Sequence, residues 1–266
     1  KQIVEGERNT EYEELHILKP GISWSPNGDK IAFSAKSGSS DVLYIIDSNT
    51  YDKEKIRLDD IEGVFRPSWS PNGDKIAFIG NNGSSSDIYL LDVETKLITA
   101  VTNDWYSEDH VSWYPDGSKL IFISDRGSNL NINSTNLNNY FSEQLDIYSL
   151  SLDNGEVVRL TDTDYNESYP VISSDNKMIA YICDEFGVNN IYLTTDNFAS
   201  SSPITNVMTG ITQLSWNGDD TQLIFTGFYE MGYDVFSLSN PKDRIGKIQN
   251  IPFSKWKLDN STFDVV

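Results

Sequence analysis

The sequence repeats itself with a period of about 45 residues, and this constrains the fold more than any other feature. The segment Ser-Trp-Ser-Pro-Asn-Gly-Asp-Lys-Ile-Ala-Phe begins at Ser23 and returns letter for letter at Ser68. Degenerate copies begin at Ser112, Val171 and Ser215. Chance does not produce such a series, so the chain is built from tandem copies of one structural unit.

Each copy has the pattern of four short strands. A Pro-Asn-Gly or Pro-Asp-Gly turn, with Gly28, Gly73 or Gly117, precedes an apolar run typical of a buried strand. An alternating segment such as 87–90 follows, and then a more polar one such as 96–101. Four antiparallel strands in roughly 40 to 50 residues are typical of a propeller blade. We therefore predict an all-β fold, a β-propeller of four-stranded antiparallel blades. Repeats lie near residues 20–60, 65–102, 109–161, 168–206 and 211–240.

A tryptophan recurs at one position of the repeat. Its copies are Trp24, Trp69, Trp113 and Trp216. We interpret them as residues that pack between blades rather than as a ligand-stacking set. The polar, Asn-rich stretch 129–144 lengthens the third repeat, and we expect it to be a solvated surface loop.

The two ends of the chain leave the number of blades open. We assign 1–243 to the propeller and 244–266 to a last outer strand followed by a tail or a linker to a further domain. Residues 1–4 resemble an outer strand and are able to complete the last blade, which would give a five-bladed ring. Alternatively, 244–251 form that outer strand and the chain is part of a six-bladed or larger ring in a longer protein, which we favour.

The charge balance restricts the class of partner. The chain has 20 Lys and Arg against 40 Asp and Glu, a formal net charge of −20. This charge repels phosphate backbones and anionic lipids, so binding to nucleic acid or to a membrane surface is disfavoured. It suits a basic protein, a peptide or a cation as a partner, and solubility alone also accounts for it. No apolar run is long enough for direct membrane insertion. The single Cys183 excludes a disulfide-stapled scaffold.

The repeat motif, with Asp-Ile-Tyr about ten residues after it, resembles the repeat of TolB-like, WD40-like propellers over residues 20–240. The resemblance implies a periplasmic, extracellular or cell-envelope protein that works mainly by binding other proteins. Other members implied by it are propellers attached to peptidases of the prolyl oligopeptidase type. TolB-like rings usually have six blades, whereas five repeats are counted here.

Motifs for catalysis or metal binding are missing. The sequence has no Gly-x-Ser-x-Gly elbow, and His16 and His110 are its only histidines. The acidic stretch 162–168 lacks the glycine and the final acid of a calcium loop. No Cys/His cluster suits zinc, and no glycine-rich loop with a lysine suits phosphate. We predict no catalytic residue, no metal site and no cofactor in this chain.

The remaining candidate is a surface. Loops entering the first strand of a blade and loops joining its second and third strands should emerge on one face of the disc. These loops set aromatic side chains among carboxylates, a composition typical of binding hot spots. The candidate partner-binding residues are Trp105, Tyr106, Glu108, Asp109, His110, Arg126, Tyr165, Glu167, Phe186 and Tyr229.

The sequence thus favours a non-enzymatic propeller that binds a protein or peptide, inside a larger exported bacterial protein whose other domains are also expected partners. The alternative is an accessory propeller that gates substrate for a peptidase domain elsewhere in the chain. A calcium-dependent hydrolase that uses the central channel is a third hypothesis.

Overall fold

Five antiparallel sheets make up almost all of the structure. It is a computed structural model that describes residues 14–15, 21–38, 40–58, 60–133 and 144–260. The second, third and fourth sheets along the chain have the four-strand order that the repeat predicts, each strand pairing with the next, whereas the first sheet has five strands and the last has three. The all-β propeller prediction is therefore confirmed, with five blades.

The strands follow the blades in chain order. Blade one contains β1 (Glu14–Leu15), β2 (Ile22–Trp24), β3 (Lys30–Ser37), β4 (Ser40–Asp47) and β5 (Lys53–Arg57), with β1 and β2 both paired to β3. Blade two contains β6 (Gly63–Trp69), β7 (Lys75–Asn81), β8 (Ser86–Asp92) and β9 (Ile98–Ala100). Blade three contains β10 (Glu108–Trp113), β11 (Lys119–Ser124), β12 (Asp146–Ser151) and β13 (Val157–Arg159).

Blade four contains β14 (Glu167–Ile172), β15 (Ile179–Cys183), β16 (Asn190–Thr194) and β17 (Ser202–Pro203). Blade five contains β18 (Ile211–Trp216), β19 (Gln222–Tyr229) and β20 (Gly232–Ser239). A 3-10 helix (Pro241–Arg244) and a short α-helix, α1 (Lys255–Asn260), complete the described elements.

The recurring Pro-Asn-Gly turn of the repeat is stabilised by hydrogen bonds within the turn. In blade two, the Gly73 amide donates to the Ser70 carbonyl at 2.9 Å, and Gly73 has a φ of 74°, which a side chain would strain. The Ser70 hydroxyl accepts from the Lys75 amide and donates to Asp74. The Ser-Pro-Asn-Gly-Asp sequence therefore determines the hairpin between the first and second strands locally.

The hydrophobic core lies between blades, because the sheets of blades two, three and four bury both of their faces. Alternate residues of one strand point to opposite neighbours: Phe78 packs towards blade one, whereas Ile79 packs towards blade three. Blades three and four share a cluster around Ile121 and Tyr181, and blades four and five share one around Leu193 and Leu223.

The repeat tryptophans take part in this packing, with one exception. Trp69 and Trp113 are buried, and the Trp113 Nε1 donates across the blade boundary to the Ser68 carbonyl at 3.0 Å. Trp216 donates in the same way to the Val171 carbonyl at 3.2 Å. Trp24 is 53% exposed, so the interpretation of this residue as a buried packing residue is wrong. Trp113 and Trp216 pack on the blade before their own, whereas among the described strands no blade precedes blade one.

Blade five differs from the others at its second face. Its three strands pack one face on blade four, but Tyr233 and Val235 on the opposite face are largely exposed. The predicted outer strand at 244–251 is absent, because the chain enters the 3-10 helix at Pro241 and no strand follows up to residue 260. The alternative outer strand at residues 1–4 lies outside the described residues, as does most of the predicted loop 129–144. In the described part of the chain, none of the helices has the length and apolar composition to span a membrane.

Candidate functional site

The two predicted sets of loops do meet on one edge of the blades. The Ser107 amide, in the loop that enters blade three, donates to the Asp125 carboxylate at 2.9 Å. In blade four, the Asn166 amide donates to Asp184 at 2.9 Å. An aspartate that directly follows the second strand therefore ties the two loops together in both blades. We call this edge the loop face; its described loops are 103–107, 125–133, 162–166, 184–189, 208–210 and 230–231.

Several candidate residues lie at the surface of the loop face. Trp105 is 38% exposed and Tyr229 is 55% exposed, whereas Tyr165 and Phe186 are half-buried. Exposed carboxylates lie in the same set of loops. These are Asp162, Asp164 and Glu230. The loop face therefore carries exposed aromatic side chains and exposed carboxylates; binding by these residues stays a prediction.

Four other candidates are buried and cannot contact a partner at the surface. They are Tyr106, Glu108, Arg126 and Glu167, each at most 3% exposed. Their polarity led us to expect them in exposed loops. In the structure, each of the three charged side chains is instead held by a buried ion pair or by buried hydrogen bonds. Their assignment to a solvent-facing binding surface is therefore wrong, and they are structural residues at blade boundaries.

Arg126 is the centre of the network between blades two and three. It forms ion pairs with Asp104, at 3.1 Å, and with Glu108, and all three side chains are inaccessible to solvent. The Thr102 hydroxyl lies 2.7 Å from Glu108 and accepts the Ile88 amide at 2.8 Å. Burial raises the pKa of Glu108 to about 7, although Arg126 opposes this shift. The single guanidinium thus stabilises two carboxylates that burial would otherwise protonate.

The equivalent network between blades three and four has no buried arginine beside its glutamate. Glu167 accepts hydrogen bonds from Thr163 at 2.7 Å and Thr161 at 3.2 Å. Arg159 pairs with Asp146 instead, at 2.5 Å. Burial, together with the nearby Asp146 carboxylate, raises the pKa of Glu167 to about 8. Glu167 is therefore largely protonated at neutral pH.

A cavity of about 620 Å³, which we call the channel, lies between the innermost strands of the five blades. Each innermost strand from blade two to blade five has an irregular pairing that contains one residue of positive φ. These residues are Arg66 (φ 52°), His110 (φ 52°), Tyr169 (φ 50°) and Gln213 (φ 58°), and all four line the channel. Left-handed backbone at non-glycine residues is unfavourable, so its recurrence reflects the bulge geometry of the blade.

Three of these side chains meet across the channel. The Arg66 Nε lies 2.6 Å from the Asp109 carboxylate, and its Nη1 donates to the Tyr169 hydroxyl at 2.5 Å. The His110 and Tyr169 ring centroids are 3.8 Å apart. Side chains from blades two, three and four therefore cross part of the channel. His110 and Asp109 belong to this cluster rather than to the loop tips where the sequence analysis placed them.

Sequence reasoning missed Arg66, Tyr169 and Gln213. A signal for them existed, because each stands three residues before the repeat tryptophan or its equivalent, in register with His110. In the five repeats this position is occupied by Gly, Arg, His, Tyr and Gln, so it has no common residue type. What its members share is a place in the lining of the channel, reached through a bulge in blades two to five.

Cys183, the single cysteine of the sequence, is buried. Burial raises the pKa of the Cys183 thiol, which leaves it protonated and weakly nucleophilic at neutral pH. His16 lies outside the described residues. No group of three or more His, Cys, Asp or Glu side chains within the described ranges is placed to hold a metal ion.

The blades, the channel and the loop face together define a β-propeller of repeat modules. Residues 8–141 match the family model of the TolB beta propeller domain, which is half of the chain. The chain therefore belongs to the TolB β-propeller domain family. A search of the curated proteins found no match.

Solved structures agree on the fold. TolB from Acinetobacter baumannii has a TM-score of 0.67 at 22% identity, over 85% of this chain and 52% of that chain. A putative TolB from Agrobacterium tumefaciens has a TM-score of 0.68 at 20% identity, over 84% and 78%. A prolyl endopeptidase structure has a TM-score of 0.55 at 15% identity, over 83% and 33%. The chain thus spans about half the length of the Acinetobacter TolB, and at these identities the likeness shows the fold alone.

Proposed function

We propose that this chain is a non-enzymatic propeller module that binds a basic protein or peptide through its loop face. The observation that carries the proposal is the composition of that face, whose loops expose both aromatic side chains, Trp105 and Tyr229, and carboxylates such as Asp162 and Glu230. Exposed aromatic side chains supply contact area, and a net charge of −20 attracts cationic partners. Family membership supports a binding role in the periplasm or cell envelope, within a larger exported protein.

The alternative role, gating of substrate for a peptidase, has the support of the likeness to prolyl endopeptidases. Passage through the channel is less well supported, because Arg66 and Tyr169 are hydrogen-bonded across it. A ligand on the loop face needs no such passage. We therefore favour docking on the face.

The test is a selection of random peptides displayed on phage, followed by calorimetry with the enriched sequences. We expect basic peptides with aromatic residues, and weaker binding as the salt concentration rises. Trp105→Ala should reduce affinity about thirtyfold, the effect of losing a hot spot of about 2 kcal/mol. Glu230→Lys should also weaken binding.

Matched controls lie on the opposite edge of the blades. Glu94 and Asp153 are exposed in the turns between the third and fourth strands, so Glu94→Lys and Asp153→Lys make the same charge change away from the loop face. They should leave affinity within about twofold. Enrichment of acidic peptides, or equal losses on both edges, would contradict the proposal.

A further inference from the structure

The C-terminal segment of the chain packs on the loop face of blade four. We call residues 251–258 the tail. The Phe253 ring lies 5.3 Å from the Phe186 ring, and the Ser254 amide donates to the Phe186 carbonyl at 2.8 Å. Phe186 is one of the aromatic residues that the sequence predicted for partner binding. The tail therefore already occupies part of the candidate surface.

A basic side chain of the tail makes the second contact. Lys257 Nζ stands 5.0 Å from the centroid of the Tyr165 ring, within the range of a cation–π interaction. Burial raises the pKa of Tyr165, and the nearby Glu185 and Asp164 carboxylates raise it further, so the ring lies in a negative field. The ammonium group thus approaches an aromatic face on the acidic side of the propeller.

The surface between the two aromatic rings is shaped to fit the tail. Gly187, at a φ of 77°, lies so close that a Cβ there would meet the Lys257 Cβ at 2.9 Å and the Ser254 side chain more closely still. The amide of Gly187 donates to the Asp184 carbonyl at 2.7 Å, which holds the turn in place. We call Tyr165, Phe186 and Gly187 the tail pocket.

The tail stays partly exposed on the loop face. Phe253 is 47% exposed although it packs on Phe186, and α1 has only six residues. A ring pair, a backbone hydrogen bond and a cation–π contact are among the interactions that hold the tail. Short, partly exposed segments open at low free energy while the domain stays folded.

We propose that the tail pocket recognises a peptide segment with an aromatic residue followed four residues later by Lys or Arg, and that the tail occupies this pocket in cis. The inference rests on the proposed function and names its site. Phe253 and Lys257 show the spacing and chemistry that the pocket accepts. A partner with the same pattern must displace the tail, which competes at the high effective concentration of an intramolecular ligand.

The test uses a fluorescein-labelled synthetic peptide with the sequence of residues 250–258 and fluorescence polarisation with the full 266-residue chain. In the variant Phe253→Ala/Lys257→Ala the tail loses both side-chain contacts while the pocket stays intact. We expect this variant to bind the peptide at least tenfold more tightly than the parent chain. A peptide with the same two substitutions should bind neither protein.

Substitutions in the tail pocket should reduce peptide binding rather than increase it. Phe186→Ala and Gly187→Asn, each added to the variant with the released tail, should abolish peptide binding. Gly155→Asn is the matched control for backbone strain, because Gly155 has a φ of 71° and nothing lies within 4 Å of its added Cβ. It should leave peptide binding unchanged.

Equal affinity of the parent chain and the released variant, or binding that survives Phe186→Ala, would overturn the inference. This failure is distinct from failure of the proposed function. Selected peptides that still require Trp105 would then place recognition on the loop face but outside the tail pocket.

Discussion

Replacement of Glu167 by Gln should change the pH dependence of stability. The carboxyl is 1% exposed and hydrogen-bonded to Thr161 and Thr163, and its pKa rises from 4.5 to about 8 on folding. The folded state therefore binds a proton more tightly than the unfolded state. The stability associated with this proton is fully present below about pH 4.5 and is lost as the pH rises through about 8.

The two pKa values set the size of the effect. Between pH 5 and pH 9 the parent chain should lose about 4 kcal/mol of unfolding free energy through this group alone. Gln has the shape of the protonated acid and no charge at any pH, so Glu167→Gln should remove this contribution. At pH 9 the variant should be the more stable protein, and at pH 5 the two should be similar.

The assay is denaturation by guanidinium chloride at pH 5, 7 and 9, followed by tryptophan fluorescence. The difference between variant and parent cancels effects of the overall negative charge, which both share. Glu156→Gln is the matched control, because Glu156 is exposed and the same substitution there should stay within about 0.5 kcal/mol of the parent at all three pH values. A difference between parent and Glu167→Gln that stays within about 1 kcal/mol across this pH range would refute the reasoning.

Two further predictions concern packing. Trp113→Ala should lower the free energy of unfolding by about 3–5 kcal/mol, because the indole is buried between blades. Trp24→Ala, at the exposed position, should lower it by less than about 1 kcal/mol. Similar losses for both variants in chemical unfolding followed by circular dichroism would contradict this prediction. Gly21→Ala should destabilise the chain by about 1–3 kcal/mol, because the new Cβ would lie 2.5 Å from the Arg66 Cα. Gly218→Ala, where nothing lies within 4 Å, should be nearly neutral in the same measurement, and an equal effect would count against the close approach.

Local sequence accounts for the blade, and tertiary structure decides which polar residues are accessible. The Ser-Pro-Asn-Gly-Asp turn and the alternating strands act over a few residues, so the repeat predicted the hairpins, the four-strand order and the packing role of Trp69 and Trp113. The repeat also brought the two sets of loops to one edge. These features follow from periodicity and turn chemistry alone.

Sequence patterns were therefore sufficient to predict the architecture and the edge on which binding is proposed. Only the tertiary structure showed that Glu108 and Glu167 are buried, because their burial comes from neighbouring blades that no local pattern reports. It also turned Arg66 and Tyr169 towards a common channel and laid Phe253 on Phe186. The conformation of a turn depends on interactions between adjacent residues, which the sequence displays directly. Burial, charge pairing and the position of the tail depend on contacts between segments that are distant in the chain.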